Sequence, residues 1–150
     1  MSQQQLTVSQ TAQALHPIFD QQIINYGAYN LIFARGQAHY QNPDVAGLQE
    51  EDQRFFIIGY RDTPTEAIIA PLALPQLASA GSPTSVDTTN AARTYFLPQG
   101  KIGIELSNGS SFTLELEAEP RFTCHLGLGQ LEQAKDIEDF KKVIIEAWAS

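Results

Sequence analysis

Residues 101–117, KIGIELSNGSSFTLELE, restrict the fold more than any other stretch of the 150-residue chain. Ile102, Ile104 and Leu106 alternate with Lys101, Gly103, Glu105 and Ser107. After Asn108-Gly109, Phe112, Leu114 and Leu116 alternate with Ser111, Thr113, Glu115 and Glu117. Successive side chains of a strand point to opposite faces, so each half carries one apolar and one polar face. Asn-Gly between two such runs is a strong hairpin signal. The loop length follows from parity. A two-residue loop at Asn108-Gly109 would set Leu106 across from Ser111 and send the two apolar rows to opposite faces, because directly opposed residues share a face. An odd loop keeps the rows together. The pattern therefore predicts a three-residue loop, Ser107-Asn108-Gly109, with Gly109 left-handed, Ile104 facing Phe112 and Ile102 facing Leu114. A one-residue slip would turn a whole apolar row into water, so the register is firm.

Elsewhere the periodicity gives a coarser outline. Ala12, Leu15, Ile18, Phe19 and Ile23 recur at helical steps, predicting a helix over about 9–25 that Thr7 or Ser9 caps and Gly27 stops. Pro17 predicts a kink or a second helix start. Tyr29 to Tyr40 reads as a long strand with Tyr29, Leu31 and Phe33 on one face. Unbroken alternation would carry Arg35, Gln37 and His39 into the core, so a bulge at Arg35-Gly36 is expected, with Ala38 and Tyr40 continuing the inner row. Residues 42–53 read as an acidic loop. Arg54 to Arg61 is apolar on both faces and predicts a covered central strand. Glu66 to Leu72 returns antiparallel, with Pro71 marking its end or a sheet edge. A short helix is expected near Pro75 to Ala80 and a long small-residue loop from Ala78 to Ala92. Short strands are expected at Thr94 to Leu97 and Arg121 to Leu126. Asp136 to Trp148 reads as a helix with a stripe of Ile137, Phe140, Ile144, Ala147 and Trp148. Asp136, Glu138 and Asp139 crowd its first turn, where the helix dipole favours acids.

Charge enters where partners are concerned. Seventeen acids against nine Lys and Arg give a formal net charge of −8. Nucleic acid is excluded as an expected partner, because a phosphate backbone requires a basic footprint; an anionic membrane surface is disfavoured likewise. A lone cysteine, Cys124, allows no internal disulfide. The first residues lack a secretory pattern and no apolar run reaches membrane-spanning length. The expectation is one domain over 1–150, cytoplasmic and of bacterial type.

No stretch spells a catalytic or cofactor motif. His16, His39 and His125 stand in no metal-ligand spacing, so neither metal nor cofactor is expected. His16 precedes Pro17 and reads as a residue flanking a helix break. Cys124 and His125 are adjacent, and on a strand they point apart, which opposes a nucleophile–base pair. Glu115, Glu117 and Glu119, with Glu105 across the hairpin, could do acid–base work; the solvated face of a sheet is the simpler account. Gly127-Leu128-Gly129 lacks phosphate-loop spacing and reads as a turn. Arg35, His39 and Tyr40 are the candidate binding residues, should their face prove enclosed.

The element order predicts an α+β fold: a mainly antiparallel, twisted sheet of five to seven strands, an N-terminal helix and a packed C-terminal helix. A strand meander closed by a C-terminal helix resembles the pleckstrin-homology type. The full order, small size and acidity resemble the type III secretion chaperone type. No motif accompanies either resemblance, so no functional residue is carried over. Functionally the sequence points to a non-enzymatic binding or protein-interaction module, able to pair with itself through an open sheet edge. The alternatives are an acidic homodimeric chaperone for a secreted protein, and a small-ligand binder or enzyme with a pocket under the 78–92 loop.

Overall fold

The computed structural model describes residues 4–21, 29–39 and 54–149. The hairpin forms as its parity demands. Strands β7 (Lys101–Leu106) and β8 (Ser111–Glu115) pair with Ile104 opposite Phe112 and Ile102 opposite Leu114. Gly109 closes the three-residue loop at φ 93°, and its N–H donates to the Leu106 carbonyl at 3.0 Å. Only glycine adopts that backbone region without a Cβ clash.

Around the hairpin lies one wide antiparallel sheet. Its other members are β1 (Asn30–His39), β2 (Arg54–Asp62), β3 (Thr65–Ala73), β4 (Ala78–Ser79), β5 (Thr84–Asp87) and β6 (Ala91–Phe96). The order across the sheet is β4-β3-β2-β1-β8-β7-β6, while β5 pairs on β3 alongside β4. The sheet therefore has eight strands rather than five to seven. The difference comes from residues 78–92, expected as loop. Thr84, Ser85, Val86 and Asp87 instead pair with Ile69, Ile68, Ala67 and Glu66, and Val86 is fully buried. No short helix forms at 75–80 either; a turn leads straight into β4. Pro71 lies inside β3, opposite Phe56. Its carbonyl accepts from Ala80, on the outer side of the strand. In an antiparallel strand a residue's N and C=O point the same way, so the missing Pro71 donor costs the β2 ladder nothing.

Both faces of the sheet are covered, and this overturns the expected bulge. The β1 ladders run unshifted through Arg35 and Gly36 on both sides. Ile32, Ala34 and Ala38 fill one core; Phe33 lies in the other. Phe33's row leaves the covered area beyond that residue, with Arg35 and His39 half-buried and Gln37 exposed, while Ala38 stays in the row of Ile32 and Ala34, so no device is needed to return Ala38 to Phe33's row. Gly36 serves closeness instead, since a Cβ there would lie 2.0 Å from the Thr113 carbonyl oxygen. Among the described residues the register shifts in β6, between Ala91 and Arg93.

The first core joins the even-numbered residues of β7 and β8, with Phe56, Ile58 and Tyr60, to a C-terminal helix, α2 (Ala134–Phe140). The helix continues over Lys141–Ile145 in wider turns, where the Glu146 N–H reaches back five residues to Lys141. That widening changes the buried stripe to Phe140, Ile144 and Ile145, with Trp148 packed against it and Ala147 exposed. Tyr60 ties the helix down by donating to Asp139 Oδ2 at 2.9 Å, with the Asp136 carbonyl oxygen 3.1 Å from the same hydroxyl.

The second core lies under α1 (Val8–Asp20) and a separate two-stranded sheet, β9 (Arg121–Cys124) and β10 (Gly127–Gln130). Thr7 caps α1 in a reciprocal box with Gln10. Pro17 remains inside the helix, on its solvent-exposed side with Gln13, whose carbonyl Pro17 cannot supply with an amide proton. Ile23 and Gly27 lie outside the described residues, as do Tyr40 and the 42–53 loop. Gly127-Leu128-Gly129, expected as a turn, is strand β10; the turn is His125-Leu126. The N-terminal segment runs parallel beside β10, with Leu6 N–H donating to Leu128 O and Leu128 N–H to Gln4 O. Among the described residues no helix is long and apolar enough to cross a membrane.

Candidate functional site

The second core is not filled to its end. Among the described residues a cleft of about 300 Å³ opens between α1, the start of β1 and the segment leading into α2. Its walls follow from the alternation and the helical stripe already described. Ala12 and Leu15 reach in from α1, Leu31 from β1, Ile57 from β2, and Leu131 from the approach to α2. Its mouth is polar: His16 stands on the α1 side, Asn30 on β1, and Glu132 and Asp136 on the opposite lip. All four are exposed, and none carries a side-chain hydrogen bond or ion pair among the described residues.

Two other polar groups at the cleft are fully occupied. Gln133 is buried and completes β1 where β8 has ended. Its Oε1 accepts from Phe33 N–H at 2.8 Å; its Nε2 donates to Phe33 O at 2.8 Å and Glu117 O at 2.9 Å. The amide thus satisfies three backbone groups that have no neighbouring strand. Tyr29 donates to Glu66, which pairs with Arg61 at 2.8 Å, and the Arg61 guanidinium lies over the Tyr29 ring at 4.8 Å. Burial, then the hydrogen bond to Glu66 and its charge, push the Tyr29 hydroxyl up to about 12.

The sequence-derived candidates fall elsewhere. Arg35 and His39 do share a face, on the half of the sheet that α1 does not cover. Arg35 Nε lies 3.0 Å from Glu117 Oε1, an ion pair off the hydrogen-bond axis, while Arg35 Nη2 donates to Arg121 O at 3.3 Å. His39 sits opposite Ser111 at the far end of the same ladder. Between them Gln37, Thr113, Lys101 and Glu115 line a shallow depression of about 200 Å³. Tyr40 lies outside the described residues.

The glutamate row dissolves. β8 ends at Glu115, which faces Arg35 on one side and Lys101 on the other, whereas Glu105 faces Ser111 at the opposite end of the hairpin. Cys124 is buried in the second core and His125 is exposed in the turn. No cluster of three or more His, Cys, Asp and Glu side chains forms among the described residues.

Sequence reasoning missed the cleft and Gln133. The cleft is assembled from four separated segments, and its mouth residues look like any solvated set. Gln133 shows no signal in the chain, because two of its three hydrogen bonds go to Phe33, 100 residues away. No protein-family model, curated protein or solved structure matches this chain. The pleckstrin-homology resemblance therefore rests on element order alone, and the secretion-chaperone one on order, size and acidity.

Proposed function

We propose that this chain is a non-enzymatic binding module whose site is the cleft between α1 and β1. The observation that carries the reading is its construction: a concave apolar interior beneath a mouth of four polar side chains that have no side-chain partner among the described residues. Ligand sites are characteristically apolar hollows with a few polar groups at fixed positions, and about 300 Å³ lies at the small end of their range. A pocket under residues 78–92 finds no support, because Val86 of β5 is packed in the first core there.

A thermal-shift screen with small metabolites tests the proposal. A ligand at 100 times its Kd adds about 2.7 kcal/mol, which for a chain of this size raises Tm by roughly 5–10 °C. Ala12→Phe, which fills the cleft from the helix side, is expected to abolish that rise while leaving the unliganded fold intact. A rise that Ala12→Phe leaves unchanged would sink the assignment of the site.

A second reading has its own observation. Phe96 is 53% exposed on the outermost strand, β6. An apolar side chain on an edge strand favours a protein partner, a second copy included. Light scattering on wild type and Phe96→Lys discriminates: a dimer lost in the variant supports this surface, and a monomeric wild type removes self-association.

A further inference from the structure

Resting on the cleft as the binding site, we infer that its ligand is a small apolar group carrying a cationic head. The mouth decides the sign. Glu132 and Asp136 place two carboxylates on one lip, and among the described residues no Lys or Arg lines the cleft. His16 and Asn30 face them as the other polar mouth residues. Glu66, the partner of Tyr29 at the edge of the cleft, is already paired with Arg61 at 2.8 Å. Gln133 has spent its amide on Phe33 and Glu117 and offers an incoming group nothing. An anionic ligand would thus bring its charge to two unpaired acids, whereas an ammonium or guanidinium would meet them as counter-ions. The apolar part is set by Leu15, Leu31, Ile57 and Leu131, which leave room for a ring or a branched aliphatic group and little more.

The test is a matched series on one skeleton: cyclohexylmethylamine, cyclohexylmethanol and cyclohexanecarboxylate, titrated into the intact protein and followed by amide chemical shifts. Exposed ion pairs each contribute only modestly, so the amine is expected to bind about fivefold to tenfold tighter than the alcohol, and the carboxylate more weakly than the alcohol. The preference should shrink at high salt. The double variant Glu132→Gln with Asp136→Asn is expected to bring the amine down to the alcohol's affinity, while shifts at Leu31 and Leu131 on adding the alcohol show that the cleft is intact. Equal binding of all three, or tightest binding of the carboxylate with shifts at Leu31 and Leu131, overturns the cationic head and leaves the cleft standing as a site. No shift in the cleft with any of the three, the alcohol included, overturns both.

Discussion

Gln133 is the residue on which the second core most depends. Truncating it orphans Phe33 N–H, Phe33 O and Glu117 O at once. A buried backbone group without a partner costs about 1–3 kcal/mol, and water entering from the cleft relieves part of that. Gln133→Ala is therefore expected to lower stability by about 2–4 kcal/mol in urea unfolding, well beyond what loss of an ordinary surface glutamine does. An effect below about 0.5 kcal/mol would show that the amide merely decorates the strand. The tyrosines offer a second check. Burial and acidic partners raise Tyr29 to about 12 and Tyr60 further, above the usual 10.0. A raised pKa means that the neutral form is favoured in the fold, so its stabilisation is complete below pH 10 and is lost as the pH climbs through the folded value. Tyrosinate absorbance should show a late component centred at about 12 that Tyr29→Phe removes. Titration of that component near 10 would mean that Tyr29 is solvated.

Gly36 carries the argument at the level of the element. Its hydrogen lies where a methyl group would sit 2.0 Å from Thr113 O, a backbone atom that cannot swing aside. Gly36→Ala must part β1 from β8, the junction between the two halves of the sheet. The expected loss is about 3 kcal/mol, at the upper end of overpacking effects, visible as a collapse of amide protection in Gln37 and Thr113, which face each other across that seam. Gly109→Ala forces a left-handed non-glycine residue and should cost about 1–2 kcal/mol, confined to the loop. These glycines show what local patterning can and cannot reveal. The Asn-Gly turn and its parity are local, and the register of β7 and β8 was legible to the residue. The bulge expected at Arg35-Gly36 failed because alternation was weighed against one core, whereas β1 serves two. The small-polar stretch 78–92 hid β5, since an edge strand needs only one buried side chain, Val86, to hold it. The cleft was not legible at all: its lips come together only once α1, β1 and α2 are packed.

The whole molecule hangs two cores on one sheet. β2 feeds both, with Phe56 and Ile58 on one face and Ile57 on the other, so neither core survives loss of the strand. The chain's one tryptophan and one cysteine report on opposite sides: Trp148 packs against the first core and Cys124 is buried in the second. Urea transitions followed by tryptophan fluorescence and by thiol reactivity are expected to coincide, as in a single cooperative unit. Two midpoints would mean that the faces melt separately. The parallel pairing of Gln5 with Leu128 also bears on synthesis. While the chain is being translated, the segment around residue 5 must wait for the ribosome to release β10. Throughout that interval Phe33, Ile57 and Ile68 line a growing sheet with one side bare, which is where a nascent-chain chaperone would find its grip.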